Sequence, residues 1–233
     1  DYSIHNTHFA LNVSGKTSAL SRTISISNTD AADTVLIPGN SKSVYVAAWP
    51  EGSDESKAAV ILPKTEYSES GLTAKASLAS TTNTYGNWNA KLVFESASGT
   101  AQTLATATYS VEPTWSSFEI TKTASLEKKK KFAISLNNLK NVYGVSKVKY
   151  RIYNSQGKKV AAITATPQSS GKLYYAEVTY KKLKYAFDNY TVKATVTDVK
   201  GKSFVLNTPA VADIMPKGGT FSVTKTSNAK CAY

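Results

Sequence analysis

The chain has 233 residues, a formal charge of +12, 10% aromatic residues, one Cys, one Met and two His. That length suits two small domains, and no apolar run reaches the roughly 18 residues of a membrane-spanning helix. A single Cys (Cys231) excludes an internal disulfide scaffold, a Cys-based zinc site and an iron–sulfur cluster, while the charge invites a nucleic-acid reading.

Taken in chain order, the start at Asp1-Tyr2-Ser3-Ile4 lacks the basic and apolar regions of a secretory signal. His5 and His8 are the only imidazoles, and their polar flanks read as extended chain, so neither a metal pair nor a Ser/His/Asp triad is expected. Val44–Trp49 reads as a strand. The acidic groups Glu51, Asp54, Glu55 and Glu66, Glu69 lie in loop-like sequence and are expected to be solvated surface. Leu62-Pro63-Lys64-Thr65-Glu66 imitates a sortase sorting signal but has Glu where that signal needs Gly. In 86–95, Trp88, Ala90, Leu92 and Phe94 alternate with Asn89, Lys91 and Glu95. Successive strand residues point to opposite faces, so this run predicts one buried and one wet face. Val111–Ser117, with Pro113, predicts a short hinge. Beyond it, Lys128–Lys131 precede a strand at Phe132–Leu136, and Val148, Tyr150 and Ile152 oppose Lys147, Lys149 and Arg151. Lys181, Lys182 and Lys184 form another basic cluster; Tyr190, Val192, Ala194 and Val196 oppose Thr191, Lys193, Thr195 and Thr197. No run supports a helix of three turns. Two tandem immunoglobulin-like antiparallel β-sandwich domains follow, an all-β fold without the Cys…Trp…Cys signature of antibody domains.

The chain repeats itself. Residues 86–104 align without gaps on 188–206 through Asn87/Asn189, Trp88/Tyr190, Lys91/Lys193, Gly99/Gly201 and Leu104/Leu206. Val44–Trp49 matches Val148–Tyr153, and Phe118–Thr123 is echoed by Phe221–Thr226, 103 residues on. The expected organisation is a sandwich over 1–112, a second over 116–214, and a 215–233 tail that reads as the first strand of a further copy. Charge divides unevenly between them. Residues 1–112 hold 7 Lys+Arg and 10 Asp+Glu, a net of −3, and residues 113–233 hold 21 and 6, a net of +15.

The valine-rich strand ending in an aromatic residue, the Ser-Gly strand at 70–71 and 170–171, and the closing Asn-aromatic strand with its Gly turn together resemble the group B streptococcal Bsp-like repeat of Gram-positive surface proteins and cell-wall hydrolases. The family's acidic-plus-Trp-Tyr segment is reduced here to Ser53-Asp54-Glu55. What the resemblance implies is a non-catalytic accessory module outside the cell, acting as spacer or tether beside peptidoglycan and other domains of its parent polypeptide.

The candidate binding residues are Lys128, Lys129, Lys130, Lys131, Lys147, Lys149, Arg151, Lys181, Lys182 and Lys184, with Trp49 and Tyr153 as aromatic platforms. Clustered cations attract anionic wall polymers such as teichoic acid, and Tyr150, Tyr174, Tyr175, Tyr180 and Tyr185 are further rings placed to stack on sugars or bases. No recognition helix or RNA-binding sheet motif accompanies them, so specific nucleic-acid binding is not expected. No cofactor is expected either. The alternatives are a carbohydrate-binding module built on exposed aromatics and, behind it, a carboxylate-based glycan hydrolase, whose two carboxylates must face each other at about 5–10 Å.

Overall fold

The computed structural model describes residues 9–28, 44–65, 71–80, 84–96, 98–184 and 186–214. His5, His8, Glu66, Glu69, Tyr185, Cys231 and the 215–233 tail lie outside the described residues. The first half forms β1 (Phe9–Ser14), β2 (Ser21–Asn28), β3 (Val44–Pro50), β4 (Ala59–Thr65), β5 (Leu72–Ser77), β6 (Gly86–Glu95) and β7 (Ala101–Val111). The second forms β8 (Ser117–Thr121), a short α1 (Ala124–Lys128), β9 (Lys131–Asn137), β10 (Lys147–Tyr153), β11 (Lys159–Thr164), β12 (Thr166–Gln168), β13 (Leu173–Thr179), β14 (Asp188–Thr197), β15 (Ser203–Val205) and β16 (Ala210–Ile214).

Strand order makes the duplication explicit. In the first half β1-β2-β5 forms one sheet and β4-β3-β6-β7 the other; in the second, β12-β13-β9-β8 partners β11-β10-β14-β15, with β16 also pairing with β14. Among the described residues every strand pairing is antiparallel. Two sheets, one of the first, second and fifth-type strands and one of the third, sixth and seventh, make the immunoglobulin-like plan in each half. Strands β6 and β14 are both ten residues long and pair with β3 and β10 respectively.

Period-two patterning decides which side chains fill the cores. Trp88, Ala90, Leu92 and Phe94 from β6 join Val44, Val46 and Ala48 from β3 in the first core. Tyr190, Val192, Ala194 and Val196 from β14 join Val148, Tyr150 and Ile152 in the second. The β6–β7 register slips between Leu92 and Val93, leaving Leu104 of β7 as the extra residue of a bulge, and Leu104 is buried in the first core. Three tyrosines read above as rings placed to stack are core residues instead: strand parity points Tyr150 and Tyr174 between the sheets, and Tyr180 is buried at the start of the 3-10 turn that follows β13. Leu62–Thr65 of the sortase-like segment belong to β4, an edge strand where Pro63 costs no ladder bond.

Arg22 is the unusual member of the first core, at 2% exposure. Its guanidinium donates to the carbonyls of Gly15 (3.4 Å), Thr17 (3.1 Å) and Ser110 (2.6 Å) and lies 5.4 Å from the Tyr109 ring centre. It therefore stitches β2 to the end of β7 through backbone oxygens rather than through a carboxylate. Arg22→Ala leaves buried carbonyls without donors and a void beside Tyr109, so urea unfolding is expected to show a loss of about 2–4 kcal/mol.

The two sandwiches meet in a built joint. Glu112 N–H donates to the Thr17 carbonyl, Thr114 and Lys140 exchange backbone hydrogen bonds, and the hydroxyls of Ser18 and Thr114 lie 2.8 Å apart. The segment predicted as a short hinge is thus fastened on both sides. Val142, from the loop before β10, packs into the first sandwich's core. Tyr85 crosses the other way: its ring meets Phe204 edge-on at 5.4 Å, and its hydroxyl donates to the Asp198 carboxylate (2.6 Å) while accepting from the Asn141 amide (2.8 Å). Asp198 is fully buried and also accepts from the backbone N–H groups of Lys200 and Lys202.

Burial raises the pKa of the Tyr85, Tyr109 and Tyr150 phenols above the ordinary value, and the bond to Asp198 raises Tyr85 further. A phenol whose folded-state pKa is raised contributes stability that is intact below its unfolded value near 10 and is lost as pH rises beyond it. Unfolding is therefore expected to set in above about pH 10, with tyrosinate absorbance appearing late and together with loss of structure; Tyr150→Phe should move that onset upward.

Candidate functional site

The outward face of the β11-β10-β14 sheet gathers the strand cations. Lys147, Lys149, Arg151 and Tyr153 alternate outward on β10, and Lys193 does so on β14. Register sets their neighbours: Lys149 lies opposite Thr195 and Thr164, Lys147 opposite Thr197, and Arg151 opposite Ala162 on one side and Lys193 on the other. Arg151 and Lys193 are thus a directly opposed like-charge pair, an arrangement that destabilises a sheet. Arg151 donates to the Thr195 hydroxyl, and the Lys193 ammonium sits 5.3 Å from the centre of the Tyr153 ring, so both heads are held in place over the sheet.

Carboxylates do not offset this face. Of the six in the second half, Asp198 is sealed in the joint, and Glu119, Glu127 and Glu177 belong to β8, α1 and β13. Asp213 lies opposite Asn189, four residues along β14 from Lys193, which is roughly 13 Å away. Asp188 sits at the same corner; its carboxylate accepts from the Ser155 and Asn189 N–H groups, which hold its pKa below the ordinary value.

The other predicted lysines belong to a different place. The Tyr180 N–H donates to the Lys130 carbonyl, which brings Lys128, Lys129, Lys130 and Lys131 beside Lys181, Lys182 and Lys184 at the end of the second sandwich away from the joint. This cap is mixed in charge: Lys131 pairs with Glu177 at 2.7 Å, and that contact lowers the Glu177 pKa. The sequence reads Lys128–Lys131 and Lys181–Lys184 as separate clusters; the fold brings them together in one cap, apart from the strand face of Lys147, Lys149 and Arg151. Lys193 was read only as part of a polar strand face, because its position opposite Arg151 depends on a pairing between strands some forty residues apart.

The first sandwich carries the same framework with different chemistry. Trp49 lies opposite Asn89, where Tyr153 lies opposite Thr191, and Lys91 sits 5.8 Å from the Trp49 ring centre as Lys193 does over Tyr153. Here the cations are neutralised: Lys91 forms an ion pair with Glu55, and Lys64 one with Glu95 at 2.8 Å. The acidic loop is committed as well, with Glu51 accepting from the Asn87 amide at 2.9 Å and Asp54 from the Ser56 N–H at 3.0 Å. Among the described residues, no group of three or more His, Cys, Asp or Glu is placed to hold a metal ion.

No family model matches the chain, and no curated protein matches it. Solved structures to which the chain is similar include the group B Streptococcus pullulanase SAP (14% identity, 84% of this chain and 23% of that one, TM-score 0.32). Others are the BSP domain of a biofilm-associated protein (8%, 90% and 30%, TM-score 0.26) and the fibronectin(III)-like modules of Clostridium thermocellum CbhA (13%, 91% and 98%, TM-score 0.28). The chain spans about a quarter of the pullulanase, and it matches a Bacillus cereus polysaccharide deacetylase over 30% of that chain.

Proposed function

We propose that this chain is a non-catalytic accessory segment of an extracellular protein of a Gram-positive bacterium, made of two sandwiches with their boundary at 112–116. It spaces or tethers neighbouring domains at the wall, and its second sandwich holds an anionic wall polymer of the teichoic-acid type on the face of Lys147, Lys149, Arg151 and Lys193. The supporting observation is the opposed Arg151–Lys193 pair, flanked by Lys147 and Lys149, none of which forms an ion pair with a carboxylate among the described residues. A sheet that keeps such a pair forgoes stability, and a bound polyanion is what would offset the repulsion. Successive outward residues on β10 repeat about every 7 Å, a ladder of charge suited to a chain of regularly spaced phosphodiesters. Cosedimentation tests the proposal: the protein should pellet with purified Gram-positive walls at low salt, leave them as salt rises, and fail to pellet with walls stripped of phosphodiester polymer. Pelleting that ignores both salt and stripping would contradict it.

A further inference from the structure

The first sandwich presents a second and chemically different surface at the corresponding place. Two adjoining grooves, of about 460 Å³ and 370 Å³, cross the outward face of β3, β6 and β7 and share Asn89 and Thr108. Trp49 and Thr106 line one; Glu51, Asn87 and Ser110 line the other. Together they make one trough about 10 Å wide, the span of three adjacent strands.

Its lining is not what a plain solvated sheet would carry. Asn is depleted in strands, yet Asn87 and Asn89 occupy consecutive outward positions in the first half of β6. They stand beside a half-buried indole and three hydroxyl-bearing residues, Thr106, Thr108 and Ser110. The Asn87 amide is already oriented by its 2.9 Å bond to Glu51. Both charged groups that border the indole, Lys91 and Glu55, neutralise each other. The trough therefore offers a flat apolar ring, amide donors and acceptors, hydroxyls, and one carboxylate, Glu51, oriented by the Asn87 amide as an acceptor for sugar hydroxyls. That combination suits a neutral polyol whose rings have an apolar face and a hydroxyl rim.

We infer that the trough around Trp49, Asn87 and Asn89 binds a neutral oligosaccharide, at a site separate from the cationic face of the second sandwich. The two repeats thus hold the same aromatic–lysine pair at the same register position and differ in what surrounds it: amides and a paired carboxylate in one, unopposed cations in the other.

Titration of the full chain with maltotetraose, cellotetraose and chitotetraose, followed by amide and indole NMR signals, tests the inference. At least one sugar should shift the Trp49 indole and the Asn87 and Asn89 side-chain amides, and Trp49→Ala and Asn89→Ala should each weaken that binding tenfold or more. Both variants should keep the affinity of the parent protein for poly(glycerol phosphate), so that failure here is distinguishable from failure of the anionic-polymer reading. No shift at Trp49 with any of the three sugars, or shifts that persist undiminished in both variants, would overturn it.

Discussion

Replacing Lys147, Lys149, Arg151 and Lys193 together by threonine is expected to lower the affinity for poly(glycerol phosphate) about 100-fold at low salt. Each phosphate neutralised by a Lys or Arg releases condensed counterions, so the logarithm of the binding constant falls with the logarithm of salt by somewhat less than one unit per contact. Four contacts give a slope of roughly −3 to −4, and the quadruple variant should flatten it toward zero. The same variant should not lose stability. Its threonines match the Thr164, Thr195 and Thr197 neighbours given by the register, suit a strand, and remove the opposed Arg151–Lys193 pair, so its melting temperature should hold or rise. A variant that loses binding while gaining stability is the signature of residues kept for a ligand. One that simply unfolds would identify the cations as structural.

Asp198→Ala is expected to cost about 2–4 kcal/mol, because it leaves the Tyr85 hydroxyl and the N–H groups of Lys200 and Lys202 without their acceptor in a site sealed from water. For a chain of this length that corresponds to a fall in melting temperature of about 5–15 °C. Its second effect is on cooperativity. Tyr85, Val142 and Phe204 tie the sandwiches together, so the parent protein should melt in one transition and the variant in two. Tyr85→Phe, which keeps the ring against Phe204 but removes the hydroxyl, should fall between them. The joint also governs how the halves are compared. Cutting at Pro113 would expose Val142 and Asp198, so substitutions in the intact chain report on each face more cleanly than separated halves.

Much of the fold is legible in the sequence because a strand has a period of two. Trp88 to Phe94 and Tyr190 to Val196 disclose their buried faces by alternation alone, and the duplication shows that the two runs occupy one structural role. Alternation also separates Trp49 and Tyr153 from the cores. What it does not disclose is who faces whom. The Arg151–Lys193 opposition, the Trp49–Asn89 opposition and the Leu92/Val93 slip are properties of register, and the Tyr85–Asp198 bond joins residues 113 apart in sequence. The meeting of Lys128–Lys131 with Lys181–Lys184 in one cap is hidden for the same reason: it depends on which strand ends lie together. Arg22 shares its parity with Ile24 and Ile26, but the carbonyls that let an arginine sit inward come from the 15–17 turn and β7, which the sequence does not place beside it.

The central claim is that a polyanion lies on the β10–β14 face of the second sandwich, and not on the lysine cap. Backbone and side-chain NMR of the full chain with a short poly(glycerol phosphate) decides between them. A polyanion on the sheet face gives shifts concentrated at Lys147, Lys149, Arg151, Tyr153, Lys193 and Thr195, lost progressively with salt. Shifts confined to Lys128–Lys131 and Lys181–Lys184, or spread evenly over both sandwiches, would contradict it.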